Sequence, residues 1–415
     1  MERLIKIGKI KPRKASEIKN SRIGIGFEKL DRKVFNPEKA YDKLAMIGAK
    51  WVRIQSGWER TEQEKGVYDF EWLDSIVDNL LERGLVPWIN LAYGNGLYDD
   101  DAAKVFGAVG CPPVKSEEAK KGWADYITAL AAHMKGRISY YEVWNEPDGE
   151  WCWKHGPNGK EYGQFVVDTS VALKKGDSSA KVIGGAICMA KPLDFAYDAF
   201  SVGMGEHIDA ISFHEYVIDE TVVFRHVKAL RGLCNRFNPN IEIIQGESGS
   251  QSRSDGRGAM RKGAWTPHKQ AKQLLRHLMA DLMTEVKFTS YFSCMDMIEA
   301  LNGTVGDLVS YLDYGYFGVL GADFDAQGRS VGNYTPKPSY YALQTISAIF
   351  SEDVQKADLP IIRWPEVSDR LFGFDCDDPS IVEGGFKCEN GSAAFVYWNS
   401  TNLMTTDFES TVTFY

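Results

Sequence analysis

A short apolar run, a polar turn and an amphipathic helix recur along this chain often enough to leave few folds open. Strand-like runs fall at 23–27, 51–55, 86–91, 138–144, 182–186, 208–213, 241–245 and 288–293. They are nearly unbroken in apolar character, the pattern of strands covered on both faces. Helical spacing fills 37–47, 72–81, 119–134, 162–174, 220–235 and 269–285, with Gly48 and Gly84 closing the first two. Doubly covered strands joined by helices predict an α/β fold, a (β/α)8 TIM barrel over residues 23–350, closed by a last helix over 339–350. An open doubly wound sheet is the alternative, but no Gly-x-Gly-x-x-Gly turn follows the first run.

Long, aromatic-rich connections follow the third, fourth, seventh and eighth strands, at 93–113, 148–161, 248–267 and 295–338. In a parallel barrel all four lie on the C-terminal face, where sites are built. Residues 1–22 read as a lead-in that can pair with the C-terminal region. From about 351 the helical period gives way to short runs such as 371–374 and 393–398, which predict a small β-rich appendage over 351–415. The last residues, 411–415, have the pattern of a strand broken off midway, so the chain is expected to be incomplete there.

The 415 residues carry a net charge of −9, with no strong basic cluster, which argues against nucleic acid or an anionic membrane surface as partner. No run reaches 18 apolar residues, and no secretory leader opens the sequence. Seven cysteines without framework spacing read as reduced core thiols, so the chain as written is expected in the cytoplasm, or outside it if a leader was removed. No two of the seven histidines stand at i, i+2 or i, i+4, and there is no phosphate loop or Gly-x-Ser-x-Gly elbow. Neither metal nor cofactor is expected.

The fourth run stops at Asn145-Glu146-Pro147, where proline ends the ladder and leaves an amide and a carboxylate at the lip. Taken alone that is a capped turn with a solvated glutamate. The seventh run is built alike, ending in Gln245-Gly246-Glu247. In a barrel both glutamates face one mouth. Two carboxylates about 5 Å apart suit double displacement at a sugar acetal: one attacks the anomeric carbon, the other protonates the departing oxygen. Like charges so close push their pKa values apart. Glu146 is assigned as acid/base and Glu247 as nucleophile, with the Asn145 amide available to a substrate 2-hydroxyl.

These residues resemble the clan A retaining glycoside hydrolases, whose (β/α)8 barrels carry their glutamates on strands four and seven. Within the clan, Glu142-x-Trp144-Asn145-Glu146-Pro147-Asp148 is similar to family 39, which includes β-xylosidases, α-L-iduronidases and bacterial exopolysaccharide hydrolases. The likeness covers most of 23–350, including Lys337-Pro338-Ser339-Tyr340-Tyr341-Ala342 in the last helix. It departs from the family at Ser139, often aromatic there, and at Ser293-Cys294-Met295-Asp296, where the clan usually has a strand-eight tryptophan. The resemblance implies an oligo- or polysaccharide substrate and a retaining, exo-acting, β-xylosidase-like hydrolase. An endo-acting enzyme and a barrel that binds sugars without turnover are the alternatives.

It also implies roles for Arg53, His214 and Tyr216. An arginine between Val52 and Ile54 needs an anion, and Glu247 is the expected one, against an unrelated loop. In the clan the tyrosine bonds the nucleophile and the histidine orders the site, although a histidine can be simply structural. Glu28 either binds a sugar hydroxyl or caps a helix, and Asn95 is either a hydroxyl ligand or a turn former. Trp88 and Trp144, inside strands, read as core, whereas Trp151, Trp153 and Trp265, in long loops, are expected to stack on sugar.

Overall fold

The computed structural model describes residues 8–188, 193–299, 313–363, 380–405, 412 and 414. Eight parallel strands close into a barrel: β1 (Ile23–Gly26), β2 (Trp51–Gln55), β3 (Val86–Leu91), β4 (Tyr140–Val143), β5 (Lys181–Cys188), β6 (Ala210–Glu215), β7 (Glu242–Ser248) and β8 (Thr289–Tyr291). β1 pairs with β8 in register Ile23↔Thr289, which shuts the ring as the sequence predicted. Gly24 permits that closure, since an added Cβ would lie 2.9 Å from Thr289 O and from Trp51 Cβ. Trp88, Ile183, Ala210, Ile244 and Phe288 fill part of the interior, and Trp51 stacks on Phe288 at 4.3 Å.

Three helices begin earlier than their apolar spacing indicates, because polar caps set the starts. Ser116, Asn158 and Thr266 accept hydrogen bonds from the amides of Ala119, Glu161 and Lys269, opening helices Glu117–Met134, Gly159–Gly176 and Pro267–Leu282. Each such cap contributes roughly 1 kcal/mol. Two short helices, Asp194–Ser201 and Met204–His207, were not anticipated between β5 and β6.

β7 runs on through Glu247 instead of ending at Gln245. Register shifts against β6 and β8 let the ladder continue past Gly246. The 295–338 connection is not plain loop either. Met297–Ile298 pairs with Tyr314–Gly315, and Leu320–Phe324 with Ser330–Pro336.

Beyond helix Pro338–Ile349, strands Val354–Ala357, Ile381–Cys388 and Ala393–Asn399 form an antiparallel sheet. Among the described residues no N-terminal strand joins it, and residues 1–7 of the expected lead-in lie outside them. Residues 8–22 instead form a single turn at Ala15–Glu17, and Arg13 donates to Ser351 Oγ at 3.1 Å. The runs at 371–374 and most of 411–415 lie outside the described residues. The described cysteines are all free, and among the described residues no helix is long and apolar enough to cross a membrane.

Candidate active site

Arg53 organises the mouth of the barrel. It sits on β2 with no exposed surface, where a lone guanidinium would be very costly. Its Nε and Nη2 donate to Glu142 Oε2 on β4 at 2.9 and 2.6 Å. Nη2 also reaches Asn145 Oδ1 at 2.8 Å, and Nη1 donates to Glu247 Oε1. Glu28 Oε1 lies 3.5 Å from Nη1. Glu142 is held from behind by Asn90 Nδ2 at 2.9 Å and Ser212 Oγ at 2.6 Å.

Past β4 the backbone turns sharply. Trp144 and Glu146 take left-handed φ values of 66° and 46°, each costing roughly 1 kcal/mol or more for a non-glycine residue. The turn is tied down by Glu146 N to Ala186 O at 3.0 Å and by Trp144 Nε1 to Cys152 O at 2.7 Å. Its result is that the Glu146 carboxyl faces β7. The Trp151 indole donates to Glu146 Oε2, and His214 Nδ1 stands 3.1 Å from Oε1.

Glu247 receives the Tyr216 hydroxyl on Oε2 at 2.6 Å, and His214 Nδ1 lies 3.6 Å from the same oxygen. One donor atom each from Glu146, His214 and Glu247 fall within 4.8 Å of one another. Burial acts to raise the Glu247 pKa. The His214 and Arg53 charges and the Tyr216 hydrogen bond outweigh it and hold this carboxyl below its ordinary value. For His214 burial acts downward, yet the Glu247 charge and the bond to Glu146 leave its pKa raised. A carboxylate held below its ordinary pKa therefore stands beside a second carboxyl, with one oxygen of each within 4.8 Å of the other.

The cavity over this pair has a volume of about 320 Å³, within the range of small-ligand sites. Phe292, just after β8, and Phe317, in the connection that follows, line it with ring centroids 5.6 Å apart. A larger cleft of about 1010 Å³ lies between helices Pro267–Leu282 and Pro338–Ile349 and the last sheet. Its described lining contains no Asp or Glu, so it lacks the groups for this chemistry.

The family model described as "Glycosyl hydrolases family 39" matches residues 38–231. Over those residues, just under half of the chain, the sequence is similar to that family. It is 30% identical over 191 residues to a beta-xylosidase of Caldicellulosiruptor saccharolyticus, covering 42% of this chain and 38% of that protein. A Geobacillus stearothermophilus beta-xylosidase is 29% identical over 163 residues, 37% of this chain and 31% of its own. The match thus spans well under half the length of these relatives. Among solved structures, a family 39 glycoside hydrolase from Bacteroides cellulosilyticus WH2 superposes with a TM-score of 0.65 at 17% identity, over 93% of this chain and 72% of its own.

In this barrel Glu146, Glu247, Asn145, His214, Tyr216, Glu28 and Trp151 line one cavity, with Arg53 directly beneath. Three expected residues lie elsewhere. Trp153 is fully buried against Trp144, Tyr162 and Phe165 and donates to Glu161, and Trp265 is buried and donates to Met260 O. Asn95 bonds Glu62 O at 2.9 Å and Leu97 N at 2.8 Å, which makes it the turn former. The Arg53 expectation was too narrow, because Glu142 is as close a partner as Glu247. Glu142 was readable, as the one carboxylate inside an otherwise apolar strand. Lys29, Gln55, Glu215 and Cys188 also line the cavity, at or next to strand ends, and Arg261 and Glu299 reach it from long connections.

Proposed function

We propose that the protein is a retaining O-glycoside hydrolase of β-xylosidase type, in which Glu247 attacks the anomeric carbon and Glu146 serves as acid, then base. The convergence of the two carboxyls within 4.8 Å carries this reading. The depressed pKa of Glu247 supplies an anion to attack, and the resulting ester is released by water that Glu146 deprotonates. Asn145 Nδ2 stands 3.5 Å from Cys152 Sγ, and an amide nitrogen has two protons, so one is available to a sugar hydroxyl. The likeness to beta-xylosidases supports a pentoside or similar neutral glycoside as substrate.

Proton NMR of an activated aryl β-xyloside during hydrolysis is the direct test. The first-formed sugar is expected to be the β anomer. A 2-deoxy-2-fluoro analogue is expected to leave its mass on the peptide containing Glu247. Initial release of the α anomer, or no label, would overturn the assignment.

Tyr216→Phe tests the electrostatics. The hydroxyl lowers the Glu247 pKa, so its removal raises it, and the acid limb of kcat/KM is expected to move to higher pH. An acid limb that stays in place would mean that Glu247 is not the group titrating there.

A further inference from the structure

A second cavity, of about 390 Å³, lies against the one over the carboxyl pair, and the same loops line both. After β1, Lys29 lines the first cavity and Asp31 the second. At the end of β2 the corresponding residues are Gln55 and Gly57, and in the connection after β3 they are Val109 and Gly107. Arg32 and Tyr93 line both cavities, so these two side chains form the partition.

The partition is firmly held. Arg32 Nη2 donates to Gln55 Oε1 at 2.5 Å, its Nε lies 3.3 Å from Asp31 Oδ1, and its guanidinium sits over the Tyr93 ring at 5.3 Å. Tyr93 is set in turn by Trp144, edge to face at 5.4 Å. Gly107, with φ at 60°, packs on the arginine stem, where an added Cβ would lie 2.3 Å from Arg32 Cδ. The Arg32 side chain is accordingly only 5% exposed, although it stands between two open spaces. An arginine pinned at its head and along its stem has already given up its rotamer freedom, so it makes a wall and not a flexible flap.

We propose that Arg32 limits the protein to one sugar at a time, closing the reacting cavity behind the terminal sugar and excluding the next unit of the chain. The wall rests on the hydrolase reading and adds to it the length of the piece released. Glu146, the acid for the departing group, is held by Trp151 and by His214 of β6. Asn145, whose amide is available to the retained sugar, is held from the other side by Arg53 of β2. The retained sugar therefore points toward β1–β3, where the partition stands. A substrate with a further unit on that side would have to pass through Arg32. The reacting cavity, about 320 Å³, is at the lower end of the range for small-ligand sites, which suits a single ring. Beyond the wall Phe106, Glu59 and Arg60 line a space of similar size, so shortening Arg32 joins two ring-sized spaces.

The test uses an aryl β-xyloside and the matching aryl β-xylobioside, or the same pair for another sugar that wild type hydrolyses. Wild type is expected to release the phenol from the monoside at once. From the bioside it should take the terminal sugar first, so the phenol appears after a lag and no free disaccharide forms. Arg32→Ala should release phenol from the bioside without a lag, raising the ratio of disaccharide to monosaccharide at least about 10-fold. Arg32→Gln, shorter than arginine but still able to bond Gln55, should show the same change to a smaller degree, which keeps the test usable if the alanine variant does not fold. Arg32→Lys keeps the length of the stem and should keep the wild-type products. Free disaccharide from wild type, or single sugars alone from the folded alanine or glutamine variant, would overturn the wall and leave the hydrolase reading standing. A wild-type protein inert on every glycoside would overturn the hydrolase reading, and the wall with it.

Discussion

Glu247→Ala is expected to lower turnover of an aryl glycoside by at least about 10⁴-fold, the scale seen when a covalent nucleophile is removed. Nothing nearby replaces it. Glu28 is a neutral acid at this pH, and Glu142 lies beneath Arg53, bonded by Arg53, Asn90 and Ser212. The substitution opens a space about the size of a carboxylate beside the anomeric carbon, with Arg53 and Tyr216 still pointing into it. Azide fits such a space and carries the same charge. Added azide should restore turnover and yield a glycosyl azide of inverted configuration, because one displacement then occurs where two did before. The fold should survive, since Arg53 keeps Glu142 as its bidentate partner. Undiminished hydrolysis by a folded variant would remove Glu247 from the reaction.

The barrel and its candidate pair of carboxyls were legible in the sequence for one reason. Doubly covered strands read as apolar runs, and a carboxylate where such a run stops is conspicuous. Asn145-Glu146-Pro147 and Gln245-Gly246-Glu247 are two instances, and both glutamates came to the mouth. Glu142 was readable by the same logic, as the carboxylate inside an otherwise apolar strand, but the expected partner of Arg53 was Glu247 alone. Arg53 was the clue: a guanidinium with no exposed surface needs more than one anion, and Glu142 takes two of its hydrogen bonds.

Loop residues were harder to read, since ring direction depends on how a loop folds on itself. Trp151, Trp153 and Trp265 look equivalent in sequence. Only Trp151 turns toward a carboxylate of the reacting pair, because Gly149 leaves room for its ring: a Cβ there would sit 2.4 Å from the Trp151 indole. Glu299 lies in the 295–338 connection, and no periodicity marks where that segment returns to the mouth. The end of β7 was misjudged because a register shift, invisible in composition, carries the ladder past Gly246.

Arg53→Met is expected to damage both stability and catalysis, and the two losses can be separated. Removing the guanidinium leaves Glu142 fully buried with no cation in contact among the described residues. Breaking a buried ion pair from one side costs about 3–5 kcal/mol, enough to lower the melting temperature by several degrees. Arg53 also lowers the Glu247 pKa, so its loss should move the acid limb of kcat/KM upward and reduce turnover even in the fraction that folds. Arg53→Lys should rescue little, since one ammonium cannot reproduce the fork that reaches Glu142, Asn145 and Glu247 together. The double variant Arg53→Met/Glu142→Gln removes the stranded charge and should recover most of the lost stability, because Asn90 and Ser212 still bond the amide. Activity should stay low, as Glu247 remains without the Arg53 charge and hydrogen bond. Calorimetry and a pH–rate profile on the same samples read the two effects independently. A double variant that regained wild-type kcat/KM would show that Arg53 serves only to neutralise Glu142 and does not set the charge of the nucleophile.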